Sequence, residues 1–486
     1  MMKARSLRRD VIGIGAANAI DYALQFLLPI VVARVLAPED FAGYRMVWLV
    51  VGTLMAFATL QIPQSLSYFL PRLQIEQRAA YIVGALYVLT GLAATSSALV
   101  NPWFPLLPIA WVEISGPVWF YSVFVFLWVI GSLIDWLPVG DGRATWQAGV
   151  TVMLSICRVF AVSIVAWLSG SLEAILQVLI LFAVFKVAIL GYYILRFHTW
   201  QRGFPTDSAS EQIRYSWSFG VASGLYEFRQ QAELWMVAAL FSAREFASFS
   251  LGSVAAPLFG LIRRSVNNVV FPNLSALEAG KDKKGIADLN RKATSTVAFV
   301  LIPAAVFLWV LADEVISLVY TSSYADAANV MRVYLLGVIP QVMESSALLR
   351  ISGLGKAALK IDVFMLPLVV ILSYVGLQLF GLPGGATGSV IALFIGHLMA
   401  VRIGASKLGI PIKDLYDFPL FGWIVGVAVL SGIVANISMA TIGLSGGIGN
   451  ILFGGGVVAL FYVFVMGLFK KIPLSLTVFV KARFAN

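Results

Sequence analysis

Apolar residues along this chain fall in blocks of about twenty, parted by short polar turns, rather than in the alternation of a half-buried strand. A bilayer core about 30 Å thick is crossed by roughly 20 apolar residues at about 1.5 Å of helical rise each. The pattern predicts fourteen spans, at 11–35, 41–62, 80–100, 117–138, 148–169, 173–195, 216–240, 247–271, 293–312, 327–348, 360–380, 384–404, 418–438 and 449–469. These use nearly all of the 486 residues and leave little for a water-soluble domain. The run from Val11 to Val35 is longer than the apolar core of a signal peptide, so it reads as an uncleaved first helix behind Lys3, Arg5, Arg8 and Arg9. The expected fold is an all-α polytopic membrane protein.

Charge changes the picture by orienting it. Threaded in order, the spans place 27 of the 34 Lys and Arg residues on alternate loops, with only Arg34 and Arg244 at turns on the opposite side. One missed or extra helix would reverse every later loop, so the split supports the span order. Basic loops face the cytoplasm, which puts both termini there. The opposite loop 101–116 has no basic residue and carries Trp103, Phe104 and Trp111, as an interfacial aromatic belt would. The net charge of +10 therefore reads as topology, and no nucleic-acid partner is expected.

Composition agrees: 60% of residues are hydrophobic and 12% charged, where soluble domains carry about a quarter charged. Cys157 is the only cysteine, so no internal disulfide can form. His198 falls in a loop and His397 in a helix, with no metal-ligand spacing. No phosphate-binding Gly-rich loop, nucleophile elbow or metal motif is present. Catalytic residues, a metal and an organic cofactor are not expected; a coupling ion (H+ or Na+) or the membrane potential is the expected energy source.

Residues 16–44 and 221–249 align without a gap. Identities fall at Ala17/Ala222, Gln25/Gln230, Val32/Val237, Ala33/Ala238, Phe41/Phe246 and Ala42/Ala247. A second pair, Gly142-Arg143-Ala144 and Gly355-Lys356-Ala357, opens the fifth and eleventh spans. Both repeats are six spans apart. An even offset gives two halves of the same orientation, a transporter architecture with a central cleft. The division expected is 1–214 for helices one to six with a cytoplasmic linker, 215–407 for helices seven to twelve, and 408–486 for two appended helices and a tail.

Further segments carry a resemblance. They are Leu36-Ala37-Pro38-Glu39-Asp40-Phe41-Ala42-Gly43-Tyr44, Glu245-Phe246-Ala247-Ser248-Phe249, Phe271-Pro272-Asn273-Leu274-Ser275, Tyr324-Ala325-Asp326-Ala327-Ala328 and Gly384-Gly385-Ala386-Thr387-Gly388. On these the chain resembles the multidrug/oligosaccharidyl-lipid/polysaccharide exporter superfamily, and within it the Wzx-type flippases of O-antigen and lipopolysaccharide synthesis. The resemblance implies a V-shaped pair of six-helix lobes that alternates between inward-open and outward-open states. It implies an oligosaccharide on a polyprenyl pyrophosphate as substrate, moved from the cytoplasmic to the outer leaflet. Membrane lipids, glycosyltransferases and a polysaccharide polymerase are the partners it suggests.

Ionisable groups at membrane depth are costly and face a wet cavity or a partner. Asp21, Arg158, Lys186, Glu227, Arg229 and Glu233 lie near mid-span, and Arg45 and Arg332 nearer the outer face. A pyrophosphate calls for multidentate cationic donors, and arginine keeps its charge when desolvated. Arg158 and Arg229 are the first candidates for that role and Lys186 the next. Internal pairing is the competing account: Arg229 and Glu233 stand i and i+4, and Asp21 can pair with a neighbouring basic group. A cation-coupled drug exporter would instead depend on acids such as Asp21 and Glu227. A membrane polymerase or a non-transporting scaffold of a secretion system is the further alternative.

Overall fold

A computed structural model describes residues 2–100, 118–198, 205–343, 346–442 and 447–473. The outer loop 101–116 with its three aromatic residues, Arg202, Glu344 and the C-terminal tail lie outside the described residues. The described chain is helical throughout: α1 (Met2–Val35), α2 (Pro38–Ala58), α3 (Ile62–Phe69), α4 (Ile75–Leu99), α5 (Val118–Gly131), α6 (Leu137–Gly140), α7 (Ala144–Ser169), α8 (Leu172–Phe197), α9 (Thr206–Leu240) and α10 (Ala243–Gly252). It continues with α11 (Ala255–Ala279), α12 (Lys283–Val310), α13 (Ala312–Val319), α14 (Asp326–Leu336), α15 (Val338–Val342), α16 (Ser346–Ile351), α17 (Gly355–Leu408), α18 (Ile412–Leu415), α19 (Phe418–Ile442) and α20 (Ile448–Leu468).

Among the described residues, ten helices are long and apolar enough to cross a membrane. The 54-residue α17 is a hairpin rather than one rod. Gly381 sits at φ 63°, ψ −148°, outside helical space, and turns the chain between residues 380 and 382. The returning leg packs so closely that Gly376 and Gly384 face each other, Ser373 and Ser389 hydroxyls lie 3.1 Å apart, and a Cβ on Gly388 would strike the Leu372–Ser373 backbone. The hairpin thus supplies the two spans expected at 360–380 and 384–404.

Three expected spans differ from simple rods. That at 216–240 is part of the longer α9, which carries Glu227, Arg229 and Glu233 together with Asp207, Glu211 and Arg214 nearer its start. The span at 247–271 breaks between α10 and α11, where the Ser253 hydroxyl donates to the Ser250 carbonyl and Pro257 enters the first turn of α11 without an N–H. That at 327–348 is interrupted at Gly337 and Pro340, giving the short α14 and α15. The first helix begins at Met2, well before residue 11.

The chain divides into two compact units, Met1–Gln231 with Ala238–Ala247, and Ala232–Val237 with Ser248–Asn486. In the first, α1 lies along α7, α5 packs on α4 and α8, and α7 packs on α8. The inner part of α9 presses on the α2–α3 junction. A Cβ on Gly220 would meet the Leu60 backbone at 2.6 Å, and one on Gly224 would enter the Phe57 ring. Leu60 and Gln61 there adopt left-handed φ of 45° and 58°. Gln61 Nε2 donates to the Ser223 hydroxyl at 3.1 Å, which offsets part of the strain. In the second unit, α12 packs on α11, α19 and α20, and α16 and α14 pack on the α17 hairpin.

The gapless repeat coincides with helix boundaries. Val35 ends α1 as Leu240 ends α9, and Pro38 begins α2 as Ala243 begins α10. Val32, Ala33, Phe41 and Ala42 are buried, as are Val237, Ala238, Phe246 and Ala247. The two turns start their helices differently. Pro38 fills the first turn, where no N–H partner exists, and Glu39 and Asp40 favour the positive helix end. Ser242 and Glu245 form a reciprocal capping box, with the Ser242 N–H donating to Glu245 Oε2 at 2.9 Å.

Gly388→Leu should force the hairpin legs apart and cost about 1–3 kcal/mol or more, as overpacking a close contact does. Gly426→Ala, in α19 with nothing near its Cβ position, should be neutral or slightly stabilising. Thermal unfolding of the two variants in detergent checks the contrast.

Candidate functional site

Two cations of the first unit stand at the middle of neighbouring membrane helices. Arg158 is the fifteenth of 26 residues in α7, and Lys186 the fifteenth of 26 in α8. Their apolar flanks make the helices, and the two charges interrupt otherwise long hydrophobic runs. Each is met by a carboxylate from another element, as a desolvated charge requires.

Arg158 Nη2 lies 3.8 Å from Asp21 Oδ1, so α7 is tied to α1. Asp21 also accepts from the Ser155 hydroxyl and, at 2.7 Å, from Gln25 Nε2 one turn along its own helix. Lys186 Nζ donates to Asp135 Oδ2 at 2.7 Å. The pair is asymmetric in burial: the Lys186 side chain is 9% exposed and that of Asp135 45%. Asp135 owes its position to a change of helix type. The span at 119–140 passes from α5 into a 3-10 segment, Ser132–Asp135, before the short Pro138-containing α6. Gly131, at that junction, leaves room for Lys186: a Cβ there would meet its Cδ at 3.3 Å.

Two indole rings join the cations. Arg158 lies 5.8 Å from the Trp48 ring centre and Lys186 4.9 Å from that of Trp128. The two indoles meet edge to face at 5.6 Å and 72°, and the Phe124 ring packs against both. The result is a continuous cation–indole–indole–cation array with a carboxylate at each end. Rings of this kind stabilise a cation through their negative faces and limit water around it. A ligand carrying phosphate oxygens would find a planar guanidinium and an ammonium, each already desolvated and aimed.

The remaining candidates are placed elsewhere. Arg229 lies over the Tyr226 ring at 5.3 Å, one turn back on α9, and Glu227 is exposed on the same helix. Arg45 is half-buried on α2. Glu233 belongs to the second unit, where it is buried and accepts a hydrogen bond from the Tyr334 hydroxyl. Arg332, also in the second unit, pairs with Asp313, bonds Asn329 Oδ1 at 3.1 Å and donates to the Trp309 carbonyl at 3.2 Å. It clamps α14 to the α12–α13 turn. Asp21, Arg158 and Lys186 therefore share one array, while Glu233 and Arg332 make contacts of their own. No group of three His, Cys, Asp or Glu side chains with metal-ligand geometry occurs among the described residues.

Sequence reasoning passes over Asp135, Trp48 and Trp128. Asp135 had a signal: it is the only charged residue from Val118 to Gly140. The indoles had none, since tryptophans in apolar helices are common.

The burial asymmetry gives a direct expectation. Asp135→Asn strands a buried ammonium and should cost about 2–3 kcal/mol, near the low end for breaking a buried pair because Asp135 is half-exposed. Lys186→Met removes the buried charge and should cost less than half of that. The double variant should recover most of the Asp135→Asn loss, read from unfolding midpoints.

Comparison with known proteins places this geometry. Residues 31–329, more than half of the chain, match the family described as polysaccharide biosynthesis protein. No curated protein matches the chain. Among solved structures, the lipid II flippase MurJ in an inward closed conformation is similar with a TM-score of 0.70 at 16% identity, covering 94% of this chain and 100% of that one. An inward-facing multidrug resistance MATE family transporter of the MOP superfamily is similar at a TM-score of 0.63 and 14% identity, over 79% of this chain and 94% of that one. A MATE structure in the straight conformation gives 0.54 at 15% identity, over 82% and 95%. At these identities the likeness is one of fold. Arg158, Lys186, Trp48, Trp128 and Asp135 lie inside the matched segment and Asp21 before it, and the chain belongs to the polysaccharide biosynthesis protein family, as a multi-pass membrane protein with the fold of those flippases and exporters.

Proposed function

We propose that the protein is a flippase. It moves an oligosaccharide linked to a polyprenyl pyrophosphate from the cytoplasmic to the outer leaflet of a bacterial inner membrane by alternating access, for synthesis of a surface polysaccharide such as O-antigen. The observation that carries this reading is the pair of desolvated cations, Arg158 and Lys186, at mid-membrane within the segment that matches a polysaccharide-synthesis family. A neutral or cationic cargo has no use for them. A pyrophosphate can take a bidentate contact from Arg158 and a point charge from Lys186.

The headgroup competes with Asp21 and Asp135 for the two cations. Binding thus exchanges a carboxylate for a phosphate at each cation and releases the carboxylates, Asp135 already 45% exposed and Asp21 still held by Ser155 and Gln25, so the headgroup meets cations that are already desolvated. Outward movement of the headgroup is favoured by a potential negative inside, by about 2.3 kcal/mol per charge at 100 mV. Two charges give roughly 4–5 kcal/mol by the same relation. Glycosyltransferases that build the oligosaccharide and a polymerase that consumes it are the partners this reading implies.

The acid Asp21, held by Ser155 and Gln25, favours a second reading, a cation-coupled exporter of organic cations. Proteoliposomes separate the two. With fluorescent polyprenyl-pyrophosphate oligosaccharide, the wild-type protein should accelerate leaflet exchange, faster under a potential negative on the loading side. Arg158→Gln should slow it at least tenfold, the scale of one charge-assisted contact at about 1.5–3 kcal/mol. Exchange insensitive to both Arg158→Gln and Lys186→Gln, with ion-driven efflux of organic cations abolished by Asp21→Asn, would establish the second reading instead.

A further inference from the structure

The inner end of the first unit holds a basic cluster that takes no part in the mid-membrane array. It begins with Asp141-Gly142-Arg143, the turn before α7. Asp141 is buried, its side chain 3% exposed. Tyr193 donates its hydroxyl to Asp141 Oδ2 at 2.7 Å, and His198 Nε2 lies 2.7 Å from the same oxygen. Arg78 Nη1 of α4 approaches Asp141 Oδ1 at 3.7 Å. Gly142 takes φ +76°, which a side chain would resist, and the Arg143 N–H closes the turn on the Pro138 carbonyl at 2.7 Å. The turn is thereby pinned to the end of α8.

What the turn presents is Arg143. Its guanidinium carbon lies 3.6 Å from the centre of the Phe197 ring, and that of Arg196 lies 5.6 Å from the same ring. Two guanidinium groups are thus gathered around one phenyl ring, both on exposed residues. Neither has a carboxylate partner among the described residues. Two like charges brought together without a counterion cost free energy unless an anion joins them. Asp141 does not serve: its one ion-pair contact with an arginine is the 3.7 Å approach of Arg78, and its Oδ2 is taken by Tyr193 and His198.

The helix surface leading to this cluster indicates what kind of anion. Leu181, Val184, Phe185, Ala188, Tyr192 and Leu195 are exposed and follow one another at helical spacing along α8. The opposite face, from Ile175 through Leu179 and Ala183 to Leu190 and Tyr193, is buried. Arg196 continues the exposed stripe. An acyl or prenyl chain laid on the stripe would end with its headgroup between Arg143 and Arg196, at the level where basic pockets hold phosphate-bearing headgroups.

The geometry points to a lipid-binding site: Arg143 and Arg196, stacked on Phe197 and fixed by Asp141, bind the phosphate headgroup of an inner-leaflet lipid whose chain lies on the exposed face of α8. The exposed stripe lies on the side of α8 away from its packed face, where bilayer lipid is the solvent, so the occupant is an anionic phospholipid such as phosphatidylglycerol. The site stands apart from the flippase reading, since it uses none of the residues assigned to transport.

The test uses the full chain in nanodiscs, with native mass spectrometry to count retained lipid. Wild-type protein should retain phosphatidylglycerol about thirtyfold over phosphatidylcholine, the attraction of two surface basic residues for an anionic headgroup. Arg143→Gln/Arg196→Gln should abolish the preference, and Arg143→Lys/Arg196→Lys should keep part of it. Because the double variant can fail to fold, photoactivatable lipids are used on the unaltered protein as well. Labelling of residue 143 and residues 192–197 by phosphatidylglycerol supports the phospholipid site, and labelling there only by a polyprenyl pyrophosphate overturns it in favour of the transported lipid. Equal labelling by phosphatidylcholine, labelling spread over the other basic loops, or an unchanged preference in a folded glutamine variant overturns the proposal.

Discussion

A charge in the middle of a bilayer has to be solvated by protein, and that requirement organises the first unit. Arg158 and Lys186 stand at the centres of α7 and α8, where lipid offers nothing to an ion. Asp21 and Asp135 reach them from α1 and from the 3-10 break after α5. The contacts fix which helices lie together. Packing of α1 on α7 and of α5 on α8 accompanies the charge pairs. Trp48 and Trp128 fill the space between, so the array is a structural joint, and on the proposed function it is also the anion site.

The two roles are compatible because of asymmetry. A buried pair with perfect geometry on both sides would be a lock. Here the Arg158–Asp21 distance is 3.8 Å and Asp135 is half-exposed. Each cation is paired well enough to be tolerated at membrane depth, and the proposed function requires that it exchange its partner for a phosphate. The break in the helix at Ser132–Asp135 provides that looseness, since irregular backbone in a membrane is found where it lines protein or a wet cavity. The inner end of the same unit solves a different problem. There Asp141 is held by Tyr193, His198 and Arg78, and Arg143 and Arg196 gather around the Phe197 ring on exposed residues.

Much of this was legible in the sequence for a physical reason: the bilayer enforces long apolar blocks and penalises charge, so both leave strong signals. The gapless match between residues 16–44 and 221–249 foretold helix ends that coincide to the residue. Arg158, Lys186 and Asp21 stood out as charges within apolar runs. What hydropathy could not give was the shape of interrupted helices. Gly381 makes a hairpin inside α17, and the breaks at Ser253 and Gly337 depend on φ/ψ and local hydrogen bonds that an averaged window erases. Partner choice was equally hidden. Arg332 could be placed near the outer face, yet its clamp on Asp313 and Asn329 is a tertiary contact with no sequence periodicity.

The central claim is that the cation–indole array recognises phosphate. Equilibrium binding of three polyprenyl ligands that differ only at the head, as alcohol, monophosphate and pyrophosphate, to the full chain in nanodiscs tests it most directly, with tryptophan fluorescence as the readout. Affinity should rise at each added phosphate by about tenfold or more, the scale of a charge-assisted hydrogen bond, and the rise should collapse in Arg158→Gln/Lys186→Gln. Equal affinity for the three ligands, or a phosphate dependence that survives in that double variant, would contradict the account.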